Sequence, residues 1–244
     1  MRIRIKRNYM KKLVLPLLLF AIATTSFGQT ISADDILKDI KRGKDINYSN
    51  VTIEGTLDLT YYFEKKYEED YSRKKSWFGS NENSVEETIE VAINFTNCTF
   101  EDDVLAYYHD DGSDYTFIAN FENDVVFKNC KFNNKTAFKY SEFEGASDFS
   151  ESYFNDEALF KYAEFEKFAD FGGAVFDDDA NFKYAEFNKG LNFSYTSFDR
   201  DLNLKYAKIR GDFSSRKMSV RHDLDVKYTE INGESFSKYL LNED

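Results

Sequence analysis

From position 116 to 231 a large apolar residue recurs at every fifth or sixth position, and the two steps alternate strictly. All but Thr116 and Ser215 are Phe, Leu, Ile or Val, as in Phe121, Phe127, Phe132, Phe138, Phe143, Phe149 and Phe154. Two residues before most of them stands a small one: Ala119, Cys130, Ser141, Ala158, Ala163, Ala169, Ala174, Ala180, Ala185, Ala207. A helical period of 3.6 cannot generate steps of five and six over so long a run. Small-x-large is instead a strand-like alternation that turns both residues to one side, and it lasts for only a few residues. The chain must therefore turn a corner between one short inward face and the next. Four faces make 5 + 6 + 5 + 6 = 22 residues, and 22 is the interval at which whole hexapeptides return. FKYAEF stands at 160–165 and at 182–187, FKYSEF at 138–143, LKYAKI at 204–209 and VKYTEI at 226–231. The pattern predicts a solenoid whose coils stack about 4.8 Å apart, each burying its apolar face only against its neighbours. We number the faces one to four from the columns that begin at Phe138, Phe143, Phe149 and Phe154.

The stretches ASDFSESYF (146–154), FADFGGAVF (168–176) and DANFKYAEF (179–187) carry repeated units of the form A(D/N)(L/F)xx. Over roughly 150 residues the chain resembles the pentapeptide-repeat family, although the alternation of five and six departs from a strict five-residue repeat. The resemblance implies an all-β fold, a right-handed quadrilateral β-helix of about seven to eight coils of 22 residues. Some members of that family are acidic mimics of DNA that protect topoisomerases as dimers. The acidity and rod shape expected here fit such a role, and the leader described below does not.

The frame extends upstream through Ile46, Val51, Leu57 and Tyr62, and through Ile89, Phe95 and Phe100. It places the β-helix at 46–233, interrupted by insertions at 63–83 and 101–115, both at the corner between faces four and one on adjacent coils. The open ends need covers, because a bare coil is an exposed strand edge. Residues 29–45 hold a short capping helix from Ser32 to Arg42, with Ile36, Leu37 and Ile40 on its apolar side and Gly43 at its end. Residues 234–244 form a C-terminal cap or tail, where Phe236, Tyr239 and Leu240 suit a last helical turn or a homodimer contact.

Composition narrows the setting. Met1 to Lys12 is basic, Leu13 to Ala23 is apolar, and Ser26 and Gly28 suit a cut before Gln29. This is the pattern of a signal peptide over 1–28, too short to span a bilayer, and it predicts export to the periplasm or beyond. The net charge of −12 disfavours a grip on nucleic-acid phosphates.

Candidate chemistry is sparse. No GxSxG, HExxH, CxxC or phosphate-cradling glycine loop is present, so neither a catalytic group, a cofactor nor a metal is expected. Cys98 and Cys130 fall in one inward column on adjacent coils, which suits either a disulfide or two buried thiols in the small-residue slot. Tyr140, Tyr162, Tyr184, Tyr206 and Tyr228 form an outward column beside Lys139, Lys161, Lys183, Lys205 and Lys227. Such a strip suits sugar rings or a partner protein, or simply stabilises the stacked strands. The insertions offer Trp77 and His109, the latter among Asp102, Asp103, Asp110, Asp111 and Asp114, where calcium is a minor alternative to a solvated loop. The expected function is a non-enzymatic exported scaffold that binds a protein or glycan. The rival readings are a purely structural envelope rod and a glycan-acting enzyme.

Overall fold

The computed structural model describes residues 28–65 and 83–240. Four sheets wind into a four-sided β-helix, with seven, nine, seven and eight strands on faces one to four, all parallel except two hairpin strands on face two. Most strands are only two residues long, for example Glu164–Phe165 and Ala169–Asp170. A two-residue strand has no stability of its own. It persists because it is in register with identical strands above and below, as Phe143, Phe165, Phe187 and Ile209 are on face two.

The interior is a set of phenylalanine stacks. Phe143 and Phe165 lie 4.7 Å apart at an interplanar angle of 4°, and Phe154 and Phe176 lie 4.5 Å apart at 3°. Rings of neighbouring columns meet edge to face, as Phe160 does with Phe171 at 5.3 Å and 84°. Each such pair contributes about 0.5–1.5 kcal/mol beyond the burial of its area. The small residue two places earlier leaves room for the rings, and Ala163, Ala174 and Ala185 are all buried.

The two step lengths are two kinds of corner. At five-residue steps the chain makes a four-residue turn closed by a backbone bond, as from Ala185 N to Phe182 O (2.9 Å), with its third residue at positive φ. At six-residue steps an acidic or amide side chain spans the gap between coils. Asp124 accepts the Ala146 N–H at 2.9 Å, Asp179 that of Asp201 at 3.3 Å, and Asp201 that of Asp223 at 3.1 Å. Part of the chain's acidity is therefore architectural.

The register corrects the upstream frame. Ile53, not Val51, pairs with Phe100, and Leu59 lies beside Ala106 in the Phe138 column, where Leu59 N–H donates to Leu105 O at 2.8 Å. The inward positions are thus Tyr48, Ile53 and Leu59 on the first coil and Ile89, Phe95, Phe100 and Ala106 on the second. Both slots of the small-x-large pattern are large and apolar on the first coil (Ile46 and Tyr48, Val51 and Ile53, Leu57 and Leu59), so the pattern does not say which is which. Ser84–Ile89 is consequently a face-two strand, paired with Tyr115–Phe121. Both insertions leave the helix between faces one and two rather than between faces four and one. The second begins after Ala106, and its strand Tyr107–Asp110 folds back on Tyr115–Phe121 as an antiparallel hairpin.

Helix α1 (Ala33–Lys41) covers the first coil with Ala33, Ile36, Leu37 and Ile40 buried. The strand before it, Gln29–Ser32, adds to face four beside Val51–Glu54, a pairing not anticipated from the sequence. At the other end Leu191 and Leu202 fill the interior, while Leu224 in the last rung is 38% exposed. A short helix, Phe236–Leu240, buries Phe236 against Phe213 with ring centroids 6.1 Å apart. The side chains of Tyr239 and Leu240 lie outside the described residues. Among the described residues no helix is long and apolar enough to cross a membrane.

Phe165→Asp should lower the stability of the folded chain by roughly 3–5 kcal/mol in thermal or denaturant unfolding, because a lone charge in the stack has no partner. Phe165→Leu should cost much less, since Ile209 already stands in the same column.

Candidate functional site

The left-handed turn residues fall in two columns with different chemistry. Between faces three and four the column reads Asn50, Asn97, Asn129, Glu151, Gly173, Tyr195 and Lys217. Three asparagines and a glycine are what a positive φ favours. Between faces one and two the column reads Tyr61, Tyr140, Tyr162, Tyr184, Tyr206 and Tyr228, with φ from 55° to 66°. A tyrosine gains nothing locally from this conformation, which costs about 1–2 kcal/mol for an ordinary L residue.

Stacking offsets the strain. The five rings from Tyr140 to Tyr228 follow one another at 4.9, 4.7, 4.6 and 4.8 Å, with interplanar angles of 10°, 3°, 0° and 22°. The preceding lysine of each turn sets its Nζ 4.8, 5.0, 5.2, 5.5 and 4.9 Å from the ring centroid, within cation–π range. Burial together with Lys139 and Lys183 depresses the Lys161 pKa below the ordinary lysine range. The stack also changes what the strip offers. Inner rings cover each other's faces, so edges and hydroxyl groups point outward. A sugar ring laid flat along the strip has no aromatic face to meet.

The corrected register brings both insertions to this same corner. Tyr107 tilts against Tyr140 with centroids 6.0 Å apart, and Lys139 donates to the Tyr107 hydroxyl at 3.0 Å. Tyr62, at the root of the first insertion, stacks on Tyr108 of the second at 4.1 Å and meets Phe117 edge-on at 4.9 Å. Phe63 lies 5.6 Å from Tyr108 and is 47% exposed. Strip and insertion roots form one aromatic surface. The sequence reading missed Tyr62, Phe63, Tyr107, Tyr108 and Phe117. A signal existed in the repeated Tyr-Tyr, at 61–62 and 107–108, within three residues of the face-one positions Leu59 and Ala106.

Asp58 anchors this root. It is buried, yet accepts from Thr60 N–H at 3.1 Å, Thr60 Oγ1 at 2.5 Å and Phe63 N–H at 3.1 Å. Burial raises its carboxyl pKa above the usual range against those hydrogen bonds.

The other candidates are placed as follows. Trp77 lies outside the described residues. His109 sits on the hairpin with Nδ1 3.0 Å from Thr116 Oγ1 and Nε2 3.6 Å from Asp111 and 3.9 Å from Asp114. The neighbouring carboxylates are dispersed over local tasks. Asp102 accepts Gly55 N–H at 2.9 Å, Asp103 accepts Lys135 N–H at 3.2 Å, and Asp110 accepts Ser113 Oγ at 2.7 Å. Among the described residues no group of three or more His, Cys, Asp or Glu is gathered to hold a metal. Cys98 and Cys130 are buried free thiols on adjacent rungs.

With this geometry in place, comparison with known families is informative. The family model described as pentapeptide repeats matches residues 119–164 and 160–208, in nine copies. Residues 119–208 are pentapeptide repeats. The matched stretch is the regular β-helix that carries the tyrosine column from Tyr140 to Tyr206, and the insertions lie before it. Searches of curated proteins and of solved structures find no match.

Tyr184→Gly should leave the unfolding temperature almost unchanged, because relief of the left-handed strain offsets the lost stacking. Tyr184→Ala keeps the strain and loses two ring contacts, a cost of about 1–3 kcal/mol. Equal losses in the two variants would mean that the turn stores no strain.

Proposed function

We propose that this pentapeptide-repeat protein is an exported, non-catalytic scaffold that binds a partner protein along the corner between faces one and two. The observation that carries this reading is the meeting of both insertions with the tyrosine column. One rigid edge of the rod thus presents aromatic edges, hydroxyl groups, ammonium groups and a hairpin together. Tyrosine is suited to such a surface, since it offers apolar area and a hydrogen-bonding tip at low entropic cost. That the column keeps tyrosine in every regular coil, where the sibling corner varies among Asn, Glu, Gly, Tyr and Lys, gives it a purpose beyond turning the chain.

The covered ring faces favour a protein over a glycan, which would stack on open faces. Pentapeptide-repeat proteins generally serve without catalysis, and this reading follows them. Export is supported by the leader and by the strand Gln29–Ser32, which begins at the residue after the expected cut. Cleavage there leaves every described strand in place.

The secreted or envelope-retained protein should begin at Gln29 by N-terminal sequencing; recovery from the cytoplasm with Met1 retained would overturn export. Immobilised mature chain should retain a specific protein from an envelope extract. Tyr162→Ala/Tyr184→Ala/Tyr206→Ala and Phe63→Ser/Tyr108→Ser should each reduce retention at least tenfold, while Tyr195→Ala, at the other tight corner, should not. Equal retention by all four would remove the corner from consideration. Retention of a polysaccharide instead would return the glycan reading.

A further inference from the structure

The proposed binding surface leaves unused the chain's only two cysteines. They occupy the small-residue slot of face four, in a column that runs Val51, Cys98, Cys130, Ser152, Ala174, Thr196 and Met218. Only here do two consecutive rungs carry a reactive group. Their Cα atoms are one rung apart, about 4.8 Å, inside the span that a disulfide accepts. The backbone is already laced on both sides. Lys131 N–H donates to Cys98 O at 2.8 Å, and Tyr153 N–H donates to Cys130 O at 2.8 Å. Each thiol points at carbonyls, Cys98 Sγ at Thr96 O (3.4 Å) and Cys130 Sγ at Phe95 O (3.4 Å).

We propose that Cys98 and Cys130 are a peroxide-sensitive dithiol that closes inside the folded β-helix, stapling the second coil to the third. These coils flank the hairpin insertion, so the bond ties the root of the aromatic corner to the regular stack. The pair is asymmetric. The adjacent Cys130 thiol lowers the Cys98 pKa below the ordinary thiol range, against the effect of burial. The same contact, with burial, pushes Cys130 up, so Cys130 stays protonated. Cys98 is therefore the thiol that ionises first and Cys130 the resolving thiol.

The step balances with hydrogen peroxide as oxidant. The Cys98 thiolate attacks one peroxide oxygen and the O–O bond breaks. The sulfur becomes a sulfenic acid, and the departing hydroxide takes up the proton that Cys98 had released. The Cys130 sulfur then attacks Cys98 Sγ, the S–O bond breaks, and hydroxide leaves with the Cys130 proton as water. Two thiols are oxidised to a disulfide and one peroxide is reduced to two waters. Both sulfurs are buried, which excludes bulky disulfides but not a water-sized oxidant. The exposed turn residue Asn97 directly precedes Cys98. The inference stands independently of what the tyrosine corner binds.

The test is treatment of the reduced, folded chain with hydrogen peroxide across a pH series, followed by intact mass and alkylation of remaining thiols after denaturation. The expected result is a monomer lighter by two hydrogens with both thiols lost, formed at a rate that rises with pH as the Cys98 thiol ionises. Its thermal unfolding should rise by several degrees and revert on addition of dithiothreitol. Cys130→Ala should stop at a sulfenic acid trapped by a 1,3-dione, and Cys98→Ala should not react. Both variants should fold, because Ala174 fills the same slot two rungs beyond Cys130. Thiols that remain fully alkylatable, a product linked only between chains, or Cys98→Ala reacting as fast as wild type would each overturn the proposal.

Discussion

Everything in this molecule depends on the match between two distances. Strands in a sheet repeat at about 4.8 Å, and aromatic rings stack comfortably at nearly the same separation. In-register coils therefore stack phenylalanine on phenylalanine at 4.5–5.0 Å over much of the rod, with no adjustment of either backbone or side chain. A two-residue strand is enough because the ring behind it is clamped from above and below. The same match governs the outside, where tyrosines stack at 4.6–4.9 Å along a corner.

Once the rungs are identical, each polar position becomes a column as well. Carboxylates and amides at the wide corners accept N–H groups of the next coil, so several acidic residues serve the architecture rather than a ligand. Of the acidic residues near His109, Asp102 and Asp103 are spent in this way, while Asp110 bonds within its own hairpin. At the tight corners the backbone needs a left-handed residue in every coil. One corner meets the need with a mixture of Asn, Glu, Gly, Tyr and Lys, the other with an unbroken run of tyrosine from Tyr140 to Tyr228, and the difference separates a corner that only turns from a corner that also presents a surface. The stacking that makes the tyrosines tolerable also hides their faces, which decides the kind of partner they suit.

The insertions follow from the same logic. A solenoid tolerates extra residues only at corners, where they leave the stack undisturbed. Two insertions on adjacent coils at one corner must meet, and their Tyr-Tyr roots do so by stacking Tyr62 on Tyr108. Asp58 tucks beneath this junction, its buried carboxylate held by the turn that launches the first insertion.

The regular coils were legible in the sequence by itself. Steps of five and six admit only one closed path, and Phe165 or Ala163 needs no tertiary information to be placed inward. The strip of tyrosines and lysines, and the adjacency of Cys98 with Cys130, followed from the same count of 22. The first coil was not legible, because strand alternation turns residues i and i+2 to the same side and both were apolar there. Only the pairing of Ile53 with Phe100 resolved that choice, and with it the corner at which the insertions leave. Sequence spacing likewise showed that tyrosines would be neighbours, but not that their rings would lie parallel and close their faces to a ligand. That depends on the left-handed turn, which sets each ring face to face with the next along the rod, and a turn's handedness is a property of the folded backbone rather than of residue order.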